Sequence, residues 1–244
     1  MPNATSAVVV GVGAREGLGA ALCRRFAAGG LRVWAAGRTP ERLAAICEEI
    51  EQSGGAATPA VTDTTSEEQV IALFDRVERE GPPLEVVLYN AGDNRPVRFT
   101  EMEAAHFERS WRVGCFGGFL VGREAAHRLG PAGRGTVIFT GASGSLRGKP
   151  AFVAFAAAKA GLRMIAQGMA RELGPRGVHV VHVVIDGGIA GDRILEGFPQ
   201  LVEAKGEDGL LELDAIAETY WQIHRQHRSA WTHELDLRPF KEEW

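Results

Sequence analysis

Cysteine is scarce in the 244-residue sequence: Cys23, Cys47 and Cys115 lie far apart and form no CxxC pair. That excludes a disulfide framework, and the three read as reduced core thiols in helical patterns. Long hydrophobic runs are missing too. No stretch is long enough to span a bilayer, and Met1-Pro-Asn-Ala-Thr-Ser6 lacks the charged and apolar regions of a signal peptide. A cytoplasmic protein with no membrane partner is the expectation. Nor is there a surplus of positive charge. Lys plus Arg number 27 against 31 Asp plus Glu, a net charge of −4, and the signs are interspersed. Without a basic stripe to grip a phosphate backbone, no nucleic-acid partner is expected. Of the seven histidines, His224 and His227 would share a helical face, whereas His179 and His182 would not. No third ligand accompanies either pair, so no metal site is expected. Repeats, low-complexity tracts and linkers are all absent, which leaves a single domain spanning 1–244.

What is present is organised around the opening stretch. Val8, Val9 and Val10 are β-branched and apolar in succession, as in a parallel strand covered on both faces. Gly13, Gly17 and Gly19 follow, and then an amphipathic pattern carrying Leu18, Leu22 and Phe26. Spaced glycines let a backbone turn sharply and approach a pyrophosphate, which the free N–H groups and dipole of the next helix would hold. A second apolar strand, Leu31 to Ala36, arrives where a nucleotide-binding βαβ unit needs one.

Strand and helix signals alternate from there on. Helices are expected at about 17–28, 40–52, 66–80, 101–129, 151–174 and 214–226, and strands at about 6–12, 31–37, 57–61, 84–90, 134–140, 177–185 and 233–237. Such alternation implies an α/β fold, a Rossmann-like doubly wound parallel sheet of about seven strands with helices on both faces. Thr39-Pro40 opens one helix and Gly174-Pro175 closes another. Residues of about 187–213, rich in Gly and containing Pro199, read as an irregular flap. Arg38 directly follows the second strand, where the adenosine ribose would lie. A guanidinium there fits a 2′-phosphate, which favours NADP over NAD, and Arg15 inside the glycine turn is a second candidate contact.

The chain resembles the short-chain dehydrogenase/reductase family along its whole length. The resemblance rests on Gly13-xxx-Gly17-x-Gly19, on Asn90-Ala91-Gly92 after the fourth strand, and on Lys159 in the helix after Thr140-Gly-Ala-Ser-Gly144. It implies a nicotinamide coenzyme, with the Asn-Ala-Gly turn steadying the sheet beside the adenosine and Lys159 on the nicotinamide ribose. It also exposes departures. The tyrosine expected four residues before the lysine is Phe155, the serine expected thirteen residues before that is Ala142 with Ser143 beside it, and the asparagine of the long fourth helix is Gly114. A phenyl ring has no proton to exchange. Gly114 keeps only its carbonyl, which with Lys159 could hold a water, and a place for a kink. The acid expected near the adenine is Ala60, which leaves the backbone near Val61. The Pro-Gly turn past the sixth strand becomes Asp186-Gly187-Gly188-Ile189, where the resemblance places the Ile189 N–H against the carboxamide.

Proton-transfer candidates are then Lys159, Ser143, Asp186 and Tyr220, with Lys159 best placed. Asp186 also reads as a turn residue and Tyr220 as a packing residue. The tail from Trp231 to Phe240 and Trp244 is aromatic, as in a subunit contact, a lid over a neighbouring site or a strand packed on its own subunit. The expectation is an NADP-dependent oxidoreductase with a Tyr-less site, acting on a small carbonyl or alcohol as a homodimer or homotetramer. The alternative is an NADP(H)-binding sensor or scaffold without redox chemistry.

Overall fold

The computed structural model describes residues 5–242, so Trp244 and the first four residues lie outside the described region. In chain order the elements are β1 (Ser6–Val10), α1 (Leu18–Ala28), β2 (Arg32–Gly37), α2 (Pro40–Gln52), β3 (Ala56–Val61), α3 (Glu67–Glu80), β4 (Leu84–Tyr89), α4 (Ala104–Trp111), α5 (Gly117–Ala132), β5 (Thr136–Thr140), α6 (Val153–Leu173), β6 (His179–Ile185), α7 (Asp192–Gly197), α8 (Pro199–Lys205), α9 (Leu213–His224) and β7 (Glu234–Leu237). All seven strands run parallel in the order β3-β2-β1-β4-β5-β6-β7. The winding reverses between β1 and β4, and that opens a crevice at their carboxyl ends.

The β-branched strands are buried from both sides. Phe26, Leu43 and Tyr220 from α1, α2 and α9 cover one face, and Phe74, Leu120 and Leu162 from α3, α5 and α6 cover the other. Each such fully buried side chain contributes roughly 1.5–3 kcal/mol. No helix among the described residues is long and apolar enough to cross a membrane.

Three expectations need correction. β1 ends at Val10 rather than 12, because Gly11 adopts φ +91° and a Cβ there would come 2.5 Å from Ala91 N. The helix expected at 101–129 is instead a 3₁₀ turn at Phe99–Glu101, then α4 and α5 joined by a π-helical turn at Arg112–Phe116. Gly114 lies in that turn, where a Cβ would come 2.8 Å from Ala158 Cβ, and the Tyr89 hydroxyl donates to the Val113 carbonyl. The widened turn thus lets α6 approach closely and frees a carbonyl for a buried phenol. Finally, the segment expected to be irregular at 187–213 carries α7 and α8. A parallel bridge pins its two ends, with Ala190 N donating to Leu211 O at 2.9 Å and Leu211 N to Gly188 O at 2.8 Å.

Candidate active site

The site is a cavity of about 420 Å³ over the carboxyl ends of β1, β4, β5 and β6. Its first wall is the glycine turn. Gly17 is the N-cap of α1 and offers no side-chain cap; Ala20 N donates to Gly17 O at 3.0 Å, which leaves the Leu18 and Gly19 N–H groups for a ligand. A Cβ on Gly19 would come 2.6 Å from Gly11 O, which makes that glycine a packing requirement. Gly13 is different: among the described residues nothing lies within 4 Å of a Cβ built there. Protein packing does not demand its bareness; a ligand lying against it would. Leu18 lines the cavity beside Gly17.

Asn90, Ala91 and Gly92 connect that turn to the opposite wall. Asn90 N donates to Val10 O at 2.8 Å, and the Ala91 carbonyl accepts from Lys159 Nζ at 3.4 Å. A Cβ on Gly92 would come 3.4 Å from Lys159 Cε and Nζ, so the lysine fills the space a larger residue would take. Lys159 sits on α6, only 3% exposed, and donates also to the Thr140 carbonyl at 2.6 Å. An ammonium has three N–H donors; two carbonyls are named and the Nζ lies on the cavity wall. Burial, with no carboxylate partner among the described residues, pushes its pKa down to about 8.

The Phe155 ring lies 5.8 Å from Lys159 Nζ, and Phe155, Ala142 and Ser143 all line the cavity. Neither tyrosine does. Tyr220 is buried with its hydroxyl donating to Thr140 Oγ1 at 2.9 Å, and burial raises the pKa of both Tyr220 and Tyr89. Gly187, Gly188 and Ile189 close the far side, where a Cβ on Gly187 would come 2.7 Å from Pro239 of the tail. Within that tail Trp231 stacks on His179 with centroids 4.7 Å apart, whereas Phe240 is exposed.

At the carboxyl ends of the neighbouring strands, Arg38 is exposed beyond β2 and Val61, 58% exposed, stands at the end of β3. Arg15 is turned to Glu49, 2.9 Å away, which also takes Arg24 at 2.8 Å.

Three features escaped the sequence. Asp186 is a buried carboxylate whose two oxygens accept from Arg147 Nη2 at 3.0 and 3.1 Å, more than a turn residue. Gly11 makes the approach of the Asn-Ala-Gly turn possible, and only its positive φ reveals it. Beneath Gly141 and Ala142 runs a chain of buried groups. His182 Nδ1 meets Glu234 Oε2 at 2.9 Å, its Nε2 meets Ser145 Oγ at 3.2 Å, and the Ala142 N–H donates to that same hydroxyl at 3.2 Å. Arg163 grips Glu234 at 2.6 and 2.7 Å. A neutral imidazole donating from Nδ1 accepts the serine proton at Nε2, which fixes the loop that carries Ala142 and Ser143.

Burial holds the His182 pKa down to about 4 despite the Glu234 contact. The unfolded chain therefore takes up that proton near pH 6.5 while the folded chain refuses it, so stability falls as pH drops from about 6.5 toward 4. The expected loss is on the order of 3 kcal/mol from this group. Thermal unfolding at pH 7 and pH 4.5 checks it; His182→Gln should flatten the dependence, and an equally steep profile in that variant would refute the assignment.

Taken together, the open space at Gly13, the uncapped start of α1 and the buried ammonium fit an extended dinucleotide, with its diphosphate on the turn and a ribose at Lys159. Residues 7–192 match the family model described as short chain dehydrogenase. Gluconate 5-dehydrogenase of Gluconobacter oxydans (strain 621H) is 27% identical over 168 residues, which are 69% of this chain and 66% of that protein. A crystal structure of a short-chain dehydrogenase from Rhodopseudomonas palustris superposes with a TM-score of 0.82 at 38% identity, covering 98% of this chain and 99% of that one. The fold also matches a gluconate 5-dehydrogenase from Burkholderia cenocepacia J2315 in complex with NADP and tartrate, with a TM-score of 0.84 at 21% identity, covering 96% and 94%.

Proposed function

Because this chain belongs to the short-chain dehydrogenase family and is on that ground an NAD(P)-dependent oxidoreductase, we propose that it reduces a small carbonyl compound with NADPH and that Lys159 does the work of the missing tyrosine. One observation carries the reading: a buried ammonium, tied to two backbone carbonyls and to no carboxylate among the described residues, on the wall of the crevice at the switch point of the sheet. When bound, the coenzyme supplies a hydride, so that carbonyl, NADPH and one proton become alcohol and NADP⁺. Lys159 gives the proton to the carbonyl oxygen and recovers one from water. Its pKa of about 8 suits that work near neutral pH. The Ser143 hydroxyl orients the carbonyl where Ala142 cannot. Gly13, Gly17, Leu18 and Gly19 take the diphosphate, Asn90, Ala91 and Gly92 border the adenosine and nicotinamide halves, and Gly187 and Ile189 meet the nicotinamide ring.

Replacing Phe155 by Tyr together with Ala142 by Ser tests whether the lysine suffices. With Lys159 already supplying the proton, carbonyl-dependent NADPH oxidation should change by about tenfold or less. A gain of about a thousandfold would mean the wild-type site has no working proton donor.

Arg38 reads the 2′-phosphate, with Val61 against the adenine. Arg15 joins it by leaving Glu49, so Arg38 carries most of the preference. Arg38→Asp is expected to lower the NADPH-to-NADH ratio of kcat/KM by about 100-fold, the worth of a charge-assisted contact and its reversal. Initial rates with both coenzymes measure this, and an unchanged ratio would remove Arg38 from the site.

A homodimer or homotetramer is proposed from the apolar surface of α4 to α6, where Trp111, Phe119 and Met164 are exposed. Three buried thiols with no disulfide support a cytoplasmic setting.

A further inference from the structure

The rim of the cavity beside the proposed reaction centre is cationic in a chain that is acidic overall. Arg147 and Lys149 line it near Ser143, Phe152 and Phe155, whereas its one acidic lining residue, Glu16, belongs to the glycine turn. Arg193 also lines the cavity, yet the helix that bears it is tied to that turn: Asp192 N donates to Glu16 O at 2.8 Å. Arg193 therefore belongs with the diphosphate, and Arg147 and Lys149 are left for what lies beyond the nicotinamide.

Arg147 is not an ordinary surface arginine. Its Nη2 alone engages Asp186, whose carboxylate is 2% exposed and is further backed by Arg238 at 3.9 Å. The Asp186 N–H is in turn fixed by Leu237 O at 2.8 Å. A guanidinium carries five N–H donors in a rigid fork. Among the described residues, Nε and Nη1 of Arg147 have no side-chain or backbone acceptor. Burying a carboxylate is costly unless it secures something, and what this one secures is a half-exposed guanidinium with an unused face at the cavity wall. The apolar rings of Phe152 and Phe155 supply the rest of that wall.

We infer that the substrate is an oxo acid: Arg147, positioned by Asp186 and assisted by Lys149, receives a carboxylate, while Phe152 and Phe155 pack against the apolar body of the molecule. The inference rests on the proposed NADPH-dependent reduction, and it gives the same site its substrate class. Arg147 is the residue that determines specificity, and Asp186 is a positioning residue.

The test pairs acids with their neutral esters. Benzoylformate and 3-benzoylpropionate, each beside its methyl ester, are offered to the wild-type protein with NADPH, and the thermal midpoint of the NADP⁺-loaded protein is recorded with each compound. At least one acid should exceed its ester in kcat/KM by about tenfold, the worth of one charge-assisted pair. Arg147→Gln should bring that ratio to about one, and Arg147→Lys should leave it between the two, with NADPH affinity unmoved in both. Esters that match or exceed both acids overturn the inference, as does a ratio that Arg147→Gln leaves intact. Should Arg147→Gln fail to fold, the wild-type ratios and Arg147→Lys decide. If NADPH binds but nothing is reduced, an acid-specific rise in midpoint lost in Arg147→Gln upholds the carboxylate site and sinks the reductase reading. No acid-specific rise sinks the inference itself.

Discussion

Lys159→Met should lower kcat/KM for carbonyl reduction by about 10²- to 10⁴-fold, the range expected for a positioned proton donor. Methionine matches the volume of the lysine stem but gives no proton and makes no bond to the Thr140 and Ala91 carbonyls. The wild-type profile carries a second signature. Reduction needs the ammonium, so kcat/KM should hold steady below pH of about 8 and fall about tenfold per unit above it. Alcohol oxidation, which needs the free amine, should rise over the same interval. Stability supplies an internal control. The folded pKa of about 8 lies below the ordinary 10.5, so between those values the unfolded chain holds more protons than the folded one. The wild type therefore gains on the order of 3 kcal/mol as pH rises through that window. Lys159→Met should lose this dependence. A variant that keeps both the pH profile and the activity would show that the proton comes from elsewhere.

Gly13→Val should abolish coenzyme binding and leave the fold standing. The added side chain would meet no described protein atom near its Cβ, so the unfolding midpoint should move by less than about 2 °C, in line with a surface change of about 0.5 kcal/mol. The same side chain would fill the space where the diphosphate must approach the backbone, and a displaced charge-assisted contact set raises Kd by about 100-fold or more. Gly19→Val makes the contrast. Its Cβ would press on Gly11 O at 2.6 Å, so the fold itself should suffer. Fluorescence titration with NADPH and thermal unfolding separate the two; a Gly13→Val protein that binds normally would move the diphosphate off this turn.

Much of this was legible in the chain because local pattern governed it. The valine run of β1, the spaced glycines and the Thr39-Pro40 helix start depend on near neighbours, and each element lies within a few residues of its expected place. Lys159 and Phe155 were singled out by the family resemblance, and both line the cavity. What sequence could not show are contacts between distant segments. Asp186 looked like an aspartate before two glycines, and its role depends on Arg147, which a separate loop delivers. The His182 to Glu234 pair joins β6 to β7, and at the π turn a Cβ on Gly114 would come 2.8 Å from Ala158 Cβ on α6. Nothing in the periodicity of residues 101–129 distinguishes a π turn from a continuous helix. The reading of the chain as a sensor or scaffold without redox chemistry finds no support among relatives named as dehydrogenases.

The proposed reduction requires a dinucleotide that reaches from the glycine turn to Lys159, and titrating the wild-type protein with NADPH while following nicotinamide fluorescence tests it most directly. Saturable binding of one NADPH per chain, at a Kd on the order of micromolar, with the emission altered as the ring enters the cavity, is the predicted result. No saturable change up to about millimolar NADPH would contradict it.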